Sequence, residues 1–156
     1  MRRVDFVPEI LGIAKSSEGD ALLSLVPSLC KLYWENVSKP MVREVVNFPI
    51  GQVVVTDLDY KLDLLIFEVL RERFPEYAYL SEETYQPQTV VDKKKPTWVI
   101  DALDGTMAYS NKNISGFCTS MALVQEEEVR TALVFNPFGL DVNKAVVGEV
   151  FFAEKG

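Results

Sequence analysis

The chain has 156 residues, 48% of them hydrophobic, so it is long enough to bury a core and to form one globular domain. Its formal net charge is −7, so nucleic acid and anionic membrane surfaces would repel it, and we expect neither as a partner. The sequence contains no histidine, which excludes an imidazole base, phosphate acceptor or zinc ligand. Chemistry must therefore come from carboxylates, hydroxyls, lysines or a bound metal, and oxygen ligands favour a hard cation such as Mg²⁺.

Targeting signals and cysteine pairing are not indicated. Asp5, Pro8 and Glu9 interrupt the apolar stretch that a signal peptide would need, and no apolar run approaches the ~20 residues of a membrane span. Cys30 and Cys118 lie far apart in apolar contexts, without metal-ligand spacing. We interpret them as buried free thiols and expect a cytoplasmic protein.

The N-terminal third is predicted to be helical. Apolar residues recur at helical spacing over residues 10–33, with a possible break near residues 16–19. A short strand over residues 53–55 then precedes Thr56, which we interpret as the N-cap of a second helix with one apolar face. Pro75 ends that helix.

After Pro75 the hydrophobic period changes from helical to extended. Strands are predicted at residues 77–80, 98–100, 118–124, 129–135 and 147–153. The later strands are joined by short links, which predicts an antiparallel meander. Helices followed by a meander indicate an α+β fold, with the N-terminal helices packed on one face of a largely antiparallel sheet.

The chemistry-bearing segment is residues 98–106, Trp-Val-Ile-Asp-Ala-Leu-Asp-Gly-Thr. A buried strand delivers Asp101 and Asp104 to a turn, where they can converge. Gly105 permits a tight bend, and a helical turn after it would point backbone N–H groups at an anion. The alternative is a merely polar turn between two strands, because Asp and Gly are common turn residues.

Four segments, taken in order and spacing, resemble the inositol monophosphatase family: Val-Thr-Asp-Leu-Asp at 55–59, Phe-Pro at 74–75, Leu-Ser-Glu-Glu at 80–83 and Pro-Thr-Trp-Val-Ile-Asp-Ala-Leu-Asp-Gly-Thr at 96–106. Residues 134–137 and 149–156 also look like the meander of that family. The resemblance covers roughly residues 50–156, whereas the first 50 residues match only as helix.

The resemblance implies a magnesium-dependent, lithium-sensitive phosphate monoesterase with a small phosphorylated substrate. Carried over position by position, it implies these roles: metal binding by Glu82, Asp101, the carbonyl of Leu103 and Asp104, phosphate binding by the N–H groups of Gly105 and Thr106, and catalysis by Asp59, Glu82 and Thr106, with Thr106 and Asp59 orienting the attacking water. Bound metal ions lower the pKa of water, so the lack of histidine is no obstacle.

Two of these residues have simpler interpretations. Asp59 lies three residues after Thr56 and could be the acid of a capping box. Glu82 and Glu83 could be a solvated loop pair, an interpretation that suits Glu83 better than Glu82.

The chain departs from the family pattern in three ways. Ala102 replaces the usual Pro, and Ser81 replaces the usual Gly before the acidic pair. Ser81 and Leu103 resemble the bisphosphate nucleotidase branch, whereas residues 96–98 favour an inositol-1-phosphate-type substrate. The third departure is that the second motif of the family, a Trp-Asp pair supplying another ligand, is absent.

We therefore expect residues 1–156 to be a single α+β domain, the N-terminal half of a longer phosphatase, with an incomplete metal site and a tendency to form a homodimer. A bisphosphate nucleotidase or fructose-bisphosphatase of the same superfamily stays open. So does a haloacid-dehalogenase-type phosphatase with Asp57 as nucleophile, which the Asp-Leu-Asp after strand 53–55 suggests. The last alternative is a non-catalytic dimerising or regulatory module.

Overall fold

The structure, a computed structural model, describes residues 13–39, 41, 43–48, 51–84, 92, 94–140 and 146–155. Its elements in chain order are α1 (Ser17–Asn36), β1 (Arg43–Phe48), β2 (Gly51–Thr56), α2 (Asp57–Arg73), β3 (Ala78–Ser81), a 3₁₀ turn (Glu82–Thr84), β4 (Thr97–Asp104), α3 (Thr106–Ser110), β5 (Cys118–Gln125), β6 (Glu128–Leu140) and β7 (Val146–Glu154). Strands β1 and β2 form an antiparallel hairpin, and β3 to β7 form a sheet in sequential order.

Both long helices begin where local signals place them. Ser16 caps α1, its Oγ accepting a hydrogen bond from the Gly19 N–H at 3.0 Å, so the predicted break near residues 16–19 is the start of this helix. The part of the predicted helix before residue 13 lies outside the described residues. Helix α2 follows Thr56 and ends at Arg73, as the N-cap and Pro75 predicted. No helix in the described part of the chain is long and apolar enough to cross a membrane.

The sheet confirms the antiparallel meander for β4 to β7. Two features were not anticipated. Strand β3 pairs with β4 in parallel, Ser81 lying beside Ile100. Strand β1 was not predicted at all, because Arg43, Glu44 and Val45 are exposed and do not show the apolar alternation of a half-buried strand.

The helices cover one face of the sheet. Helix α1 packs on α2 and β6, and α2 packs on β4. The core between them contains the fully buried side chains of Leu22, Leu29, Leu62, Ile66, Trp98 and Phe135. The other face is open: Val99, Val134 and Phe151 there are 39%, 36% and 61% exposed. The predicted α+β arrangement, with helices on one side, is confirmed.

A bulge interrupts β4 between its two aspartates. Asp101 and Asp104 pair with residues 120 and 118 of β5, so Ala102 and Leu103 together stand opposite Thr119. In a regular strand, side chains three residues apart face opposite sides of the sheet. The extra residue resets that alternation. Ala102 and Leu103 are therefore both buried in the core, while Asp101 and Asp104 both point away from it.

Two core hydroxyls hold the bulge. Thr119 Oγ1 donates to the carbonyl of Ala102 at 2.8 Å, and the hydroxyl of Tyr33 lies 2.9 Å from Thr119 Oγ1 and 3.3 Å from the same carbonyl. Tyr33 belongs to α1 and is fully buried. Since a bulge disrupts the ladder of hydrogen bonds, these hydroxyls supply the pairing that a buried carbonyl requires.

Strand β7 is tied to α1 through Glu154. Its carboxylate accepts hydrogen bonds from the backbone N–H groups of Lys15 and Ser16, at 2.7 and 3.0 Å, and from the hydroxyl of Ser16. The Ser16 side chain and the Lys15 N–H group lower the pKa of Glu154. An acid at a helix N-terminus also interacts favourably with the helix dipole.

Replacing Thr119 by Val should destabilise the protein by about 1–3 kcal/mol, because Val keeps the shape but leaves the buried Ala102 carbonyl and the Tyr33 hydroxyl with fewer partners. Chemical denaturation measures this free energy of unfolding. Ser120→Ala, next along β5 and on the opposite face, is the control and should change little. A Thr119→Val protein as stable as the wild type would contradict the role given to these hydroxyls.

The contribution of Glu154 should depend on pH. Its pKa is lower in the folded state than in the unfolded state, so its stabilisation is present at neutral pH and is lost as the pH falls below about 4.3 and through the folded pKa. Glu154→Gln should therefore lower the unfolding temperature at pH 7 and have a much smaller effect near pH 3. An equal difference between the two proteins at both pH values would contradict this assignment.

Candidate active site

The parallel pairing of β3 with β4 brings two acidic residues together. Because Ser81 lies beside Ile100, the residues that follow them lie side by side: Glu82, directly after the end of β3, and Asp101, inside β4. Besides burial, the charge of Glu82 raises the pKa of Asp101, so the two carboxyl groups lie close together. The sequence motif places these acids 19 positions apart without showing their contact, which depends on the parallel register.

The surroundings of Asp101 disfavour the ionised form of its side chain. Burial raises its pKa, and the neighbouring carboxylates of Glu82, Asp104 and Asp59 raise it further. Its Oδ1 atom is buried and has no hydrogen-bond partner among the residues that the structure describes. A buried carboxylate oxygen of this kind is costly unless something positive or a hydrogen-bond donor faces it.

Glu83 is not the solvated loop residue suggested by the sequence. Its side chain is half-buried, and its Oε2 atom is buried without a partner in the described part of the chain. Burial, followed by the charges of Asp59, Glu82, Asp63 and Asp101, raises its pKa to about 8. The sequence signal available was two successive acids directly after a buried strand, one of which turns inward.

Gly105 makes the bend that the sequence predicted. Its φ is +88°, in the left-handed region that favours glycine, and a Cβ there would lie 2.3 Å from the carbonyl oxygen of Gly116. Helix α3 begins at the next residue, Thr106, so the predicted helical turn is present.

Asp59 combines the two interpretations that the sequence left open. One carboxylate oxygen, Oδ2, accepts hydrogen bonds from the backbone N–H of Thr56, at 2.8 Å, and from the Thr56 hydroxyl, as in a capping box. The other, Oδ1, lies 2.9 Å from Thr106 Oγ1, which is also 3.0 Å from the carbonyl oxygen of Leu103. Asp59 is 1% exposed, so its side chain does not contact solvent itself. Its Oδ1 atom contacts Thr106, which lines the pocket described next.

These elements meet around an open pocket of about 320 Å³ whose lining is Val54, Glu82, Leu103, Asp104, Gly105, Thr106 and Met107. Asp101 is not among these lining residues, but it lies near Glu82, which is. Within the described ranges, no three carboxylate or thiol side chains lie close enough, as they stand, to enclose a metal ion. The arrangement is a pair of neighbouring carboxyl groups, exposed Glu82 and half-buried Asp101, with a third carboxylate, exposed Asp104, at the same pocket.

Three further candidate groups, Asp57 and the two cysteines, do not line this pocket. Asp57, the nucleophile of the haloacid-dehalogenase alternative, forms an ion pair with Lys61 at 2.5 Å. Both cysteines are free and half-buried rather than fully buried. Cys118 Sγ is 3.9 Å from Asp104 Oδ2, and burial together with the charges of Asp104 and Asp101 raises its pKa to about 11, so it is a neutral thiol.

Known proteins resemble the chain in sequence and in structure. Inositol monophosphatase 1 of Saccharomyces cerevisiae is 28% identical over 124 residues, which are 74% of this chain and 42% of the yeast protein. Among solved structures, the extragenic suppressor protein SuhB of Bartonella henselae superposes with a TM-score of 0.70 at 21% identity, over 90% of this chain and 50% of that one. An IMPase/NADP phosphatase complexed with Mg²⁺ and phosphate superposes with a TM-score of 0.66 at 18% identity, over 86% and 46%.

These matches share one pattern of coverage: the chain spans about half the length of the relatives that it matches. The structural similarity supports the fold. The sequence match is decisive for the family, because the model of the inositol monophosphatase family matches residues 35–156, which include α2, the Glu82 turn, the bulge of β4 and the meander. The chain belongs to the inositol monophosphatase family.

Proposed function

We propose that this chain supplies the cation-binding and phosphate-binding half of a phosphate monoesterase site that depends on Mg²⁺ and is sensitive to Li⁺. The observation that carries the proposal is the bulge of β4. It turns Asp101 and Asp104 to one side, next to Glu82 and directly before the bend at Gly105. Glu82, Leu103 and Asp104, the proposed metal-binding residues, line one pocket together with Gly105 and Thr106, the proposed phosphate-binding residues.

The donor groups fit a hard divalent cation. All are oxygens, and the Oδ1 atom of Asp101 is buried without a hydrogen-bond partner among the described residues, so a positive ion would satisfy it. Glu82, Asp101, Asp104 and the carbonyl oxygen of Leu103 would hold the ion. When bound, it would neutralise the charge of the phosphate ester and make water a better nucleophile.

Thr106 and Asp59 orient the water in this proposal. Asp59 is fixed by its two hydrogen bonds to Thr56, which leaves its Oδ1 free to accept the hydroxyl proton of Thr106. A threonine hydroxyl has a single proton, so its lone pairs are then available to accept a hydrogen bond from water in the pocket. Asp59 acts through Thr106, and Thr106 touches the reacting water.

The phosphate would bind where β4 becomes α3. The backbone N–H groups of Gly105 and Thr106 open the turn of α3, and the first N–H groups of a helix have no partner within it. Such N–H groups bind anions without requiring a positively charged side chain. The negative charge of Asp104 at the same pocket would repel a phosphate, so anion binding here requires the cation.

An inositol-1-phosphate-type ester is the proposed substrate, on the motif at residues 96–98. A 3′(2′),5′-bisphosphate nucleotide, favoured by Ser81 and Leu103, or fructose bisphosphate would be the alternative outcomes of a substrate screen. A non-catalytic module would not need a cation, so cation binding distinguishes it from the phosphatase. The ion pair of Asp57 with Lys61 gives the haloacid-dehalogenase alternative no support.

A second half of the site is part of the proposal, because the matched relatives are about twice as long as this chain. We propose that residues 1–156 form a single domain and that the open face of the sheet is an interface. Asp101, Ser120, Val134 and Phe151 lie in one row across that face, so it adjoins the site directly. We further propose a cytoplasmic homodimer.

Replacing Asp104 by Asn should weaken Mg²⁺ binding at least about tenfold, because even indirect partners of a metal are worth that much. It should leave the unfolding temperature without metal equal or higher, since repulsion is removed. Titration calorimetry and thermal unfolding with and without Mg²⁺ measure both effects. In a protein that hydrolyses inositol 1-phosphate, the same change should abolish Mg²⁺-dependent phosphate release.

The matched control for Asp104→Asn is Glu72→Gln, which removes a negative charge from the exposed surface of α2. It should leave the affinity for Mg²⁺ unchanged. Equal Mg²⁺ affinity of the Asp104→Asn and wild-type proteins would overturn the assignment of Asp104 as a ligand.

The 156-residue chain alone should self-associate and show little phosphatase activity, because the open apolar face favours pairing and a further metal ligand is required. Light scattering and phosphate release test this. Phe151→Glu should reduce association, whereas Leu64→Glu, at a side chain 60% exposed on α2, should not. A monomeric chain that hydrolyses inositol 1-phosphate with Mg²⁺ would show that this half is sufficient.

A further inference from the structure

A buried hydrogen bond joins Asp63 of α2 to Ser81 at the end of β3. Ser81 Oγ donates to Asp63 Oδ1 at 2.6 Å, and the two residues are 0% and 7% exposed. Neither residue lines the pocket of the proposed site. No role in catalysis or binding follows from the family resemblance for either of them.

This buried pair contributes little to the free energy of unfolding compared with an apolar pair of similar size. Burial raises the pKa of Asp63, and the hydroxyl of Ser81 and the charge of Arg71 offset that effect only in part. Burying a carboxylate costs free energy unless it is paired, and an apolar side chain of similar size often serves stability as well. In some proteins, buried polar pairs of this kind specify the position of one element relative to another, which apolar contacts alone do not do.

The location of the pair indicates which geometry it fixes. Asp63 lies one helical turn after Asp59, so both acids lie on the same face of α2. Ser81 immediately precedes Glu82 and Glu83. The hydrogen bond therefore links the helix that carries Asp59 to the turn that carries the other two acids.

The turn needs such a link because β3 is a weak support. It is four residues long, lies at the edge of the five-stranded sheet, and is paired only with β4 in that sheet. A short edge strand leaves the chain that follows it with few restraints. In addition, Glu82 and Glu83 of the turn lie near Asp59 of α2 and Asp101 of β4, and like charges that lie close together repel one another.

We propose that Ser81 and Asp63 are a positioning pair: their hydrogen bond holds Glu82 and Glu83 against Asp59 and Asp101 in the arrangement that binds the cation. The inference rests on the proposed function and adds two residues to it. Without the bond, the acidic turn would move away from the helix, and a cation would have to pull it back. Ordering the turn would then reduce the net free energy of cation binding, so the affinity would fall.

The test is Ser81→Ala, with Mg²⁺ affinity measured by titration calorimetry and stability measured by thermal unfolding without metal. We expect the dissociation constant to rise about tenfold, the lower end of the effect of groups that orient metal ligands. Asp63→Asn keeps an oxygen that accepts from Ser81, so its dissociation constant should stay within about threefold of wild type. Ser24→Ala, which removes a helix hydroxyl bonded to the Ala21 carbonyl far from the acids, is the matched control and should change nothing.

Two outcomes would overturn the inference while leaving the proposed function intact. One is a Ser81→Ala protein that loses stability but binds Mg²⁺ as tightly as the wild type, because the pair would then be structural only. The other is an Asp63→Asn protein that loses as much affinity as Ser81→Ala, because charge rather than the hydrogen bond would then be responsible. A wild-type chain that binds no Mg²⁺ would overturn the proposed function, and the inference with it.

Discussion

The bulge in β4 is the constraint on which the rest of the site depends. An unbroken strand would send Asp101 and Asp104 to opposite faces of the sheet, one into the core and one into solvent. With one extra residue, Ala102 and Leu103 fill the core side by side, and both aspartates face outward. Thr119 and Tyr33 satisfy the Ala102 carbonyl, so the geometry of the site is fixed from inside the core.

Around this bulge the protein assembles charges that repel one another. Besides burial, the charges of Asp59 and Glu82 raise the pKa values of both Glu83 and Asp101. One oxygen of Glu83 and one of Asp101 are buried without partners in the described residues. A fold selected for stability alone would avoid such a cluster. The surrounding capping box, parallel strand pair and core hydroxyls hold the acids together despite this repulsion.

Many of the helix ends, turns and strands could be predicted from short stretches of sequence. The start of α2 at Thr56, its end before Pro75, the bend at Gly105 and the strands of the meander each follow from a few neighbouring residues. The resemblance of four ordered segments identified the family, which the match over residues 35–156 confirms. Strand β1 was missed because Arg43, Glu44 and Val45 are exposed and do not alternate between apolar and polar residues.

By itself, the sequence determined which residues could carry the chemistry and where the chain turns, because capping, glycine conformation and hydrophobic period act over a few positions. Only the tertiary structure decided how those residues meet. The parallel register of β3 and β4 places Glu82 beside Asp101, and the pairing of β4 with β5 locates the bulge. Packing of the 3₁₀ turn against α2 leaves Glu83 half-buried. Asp59 caps α2 through Thr56 and at the same time accepts a hydrogen bond from Thr106 of α3. These contacts join residues far apart in the chain, and no local pattern specifies them.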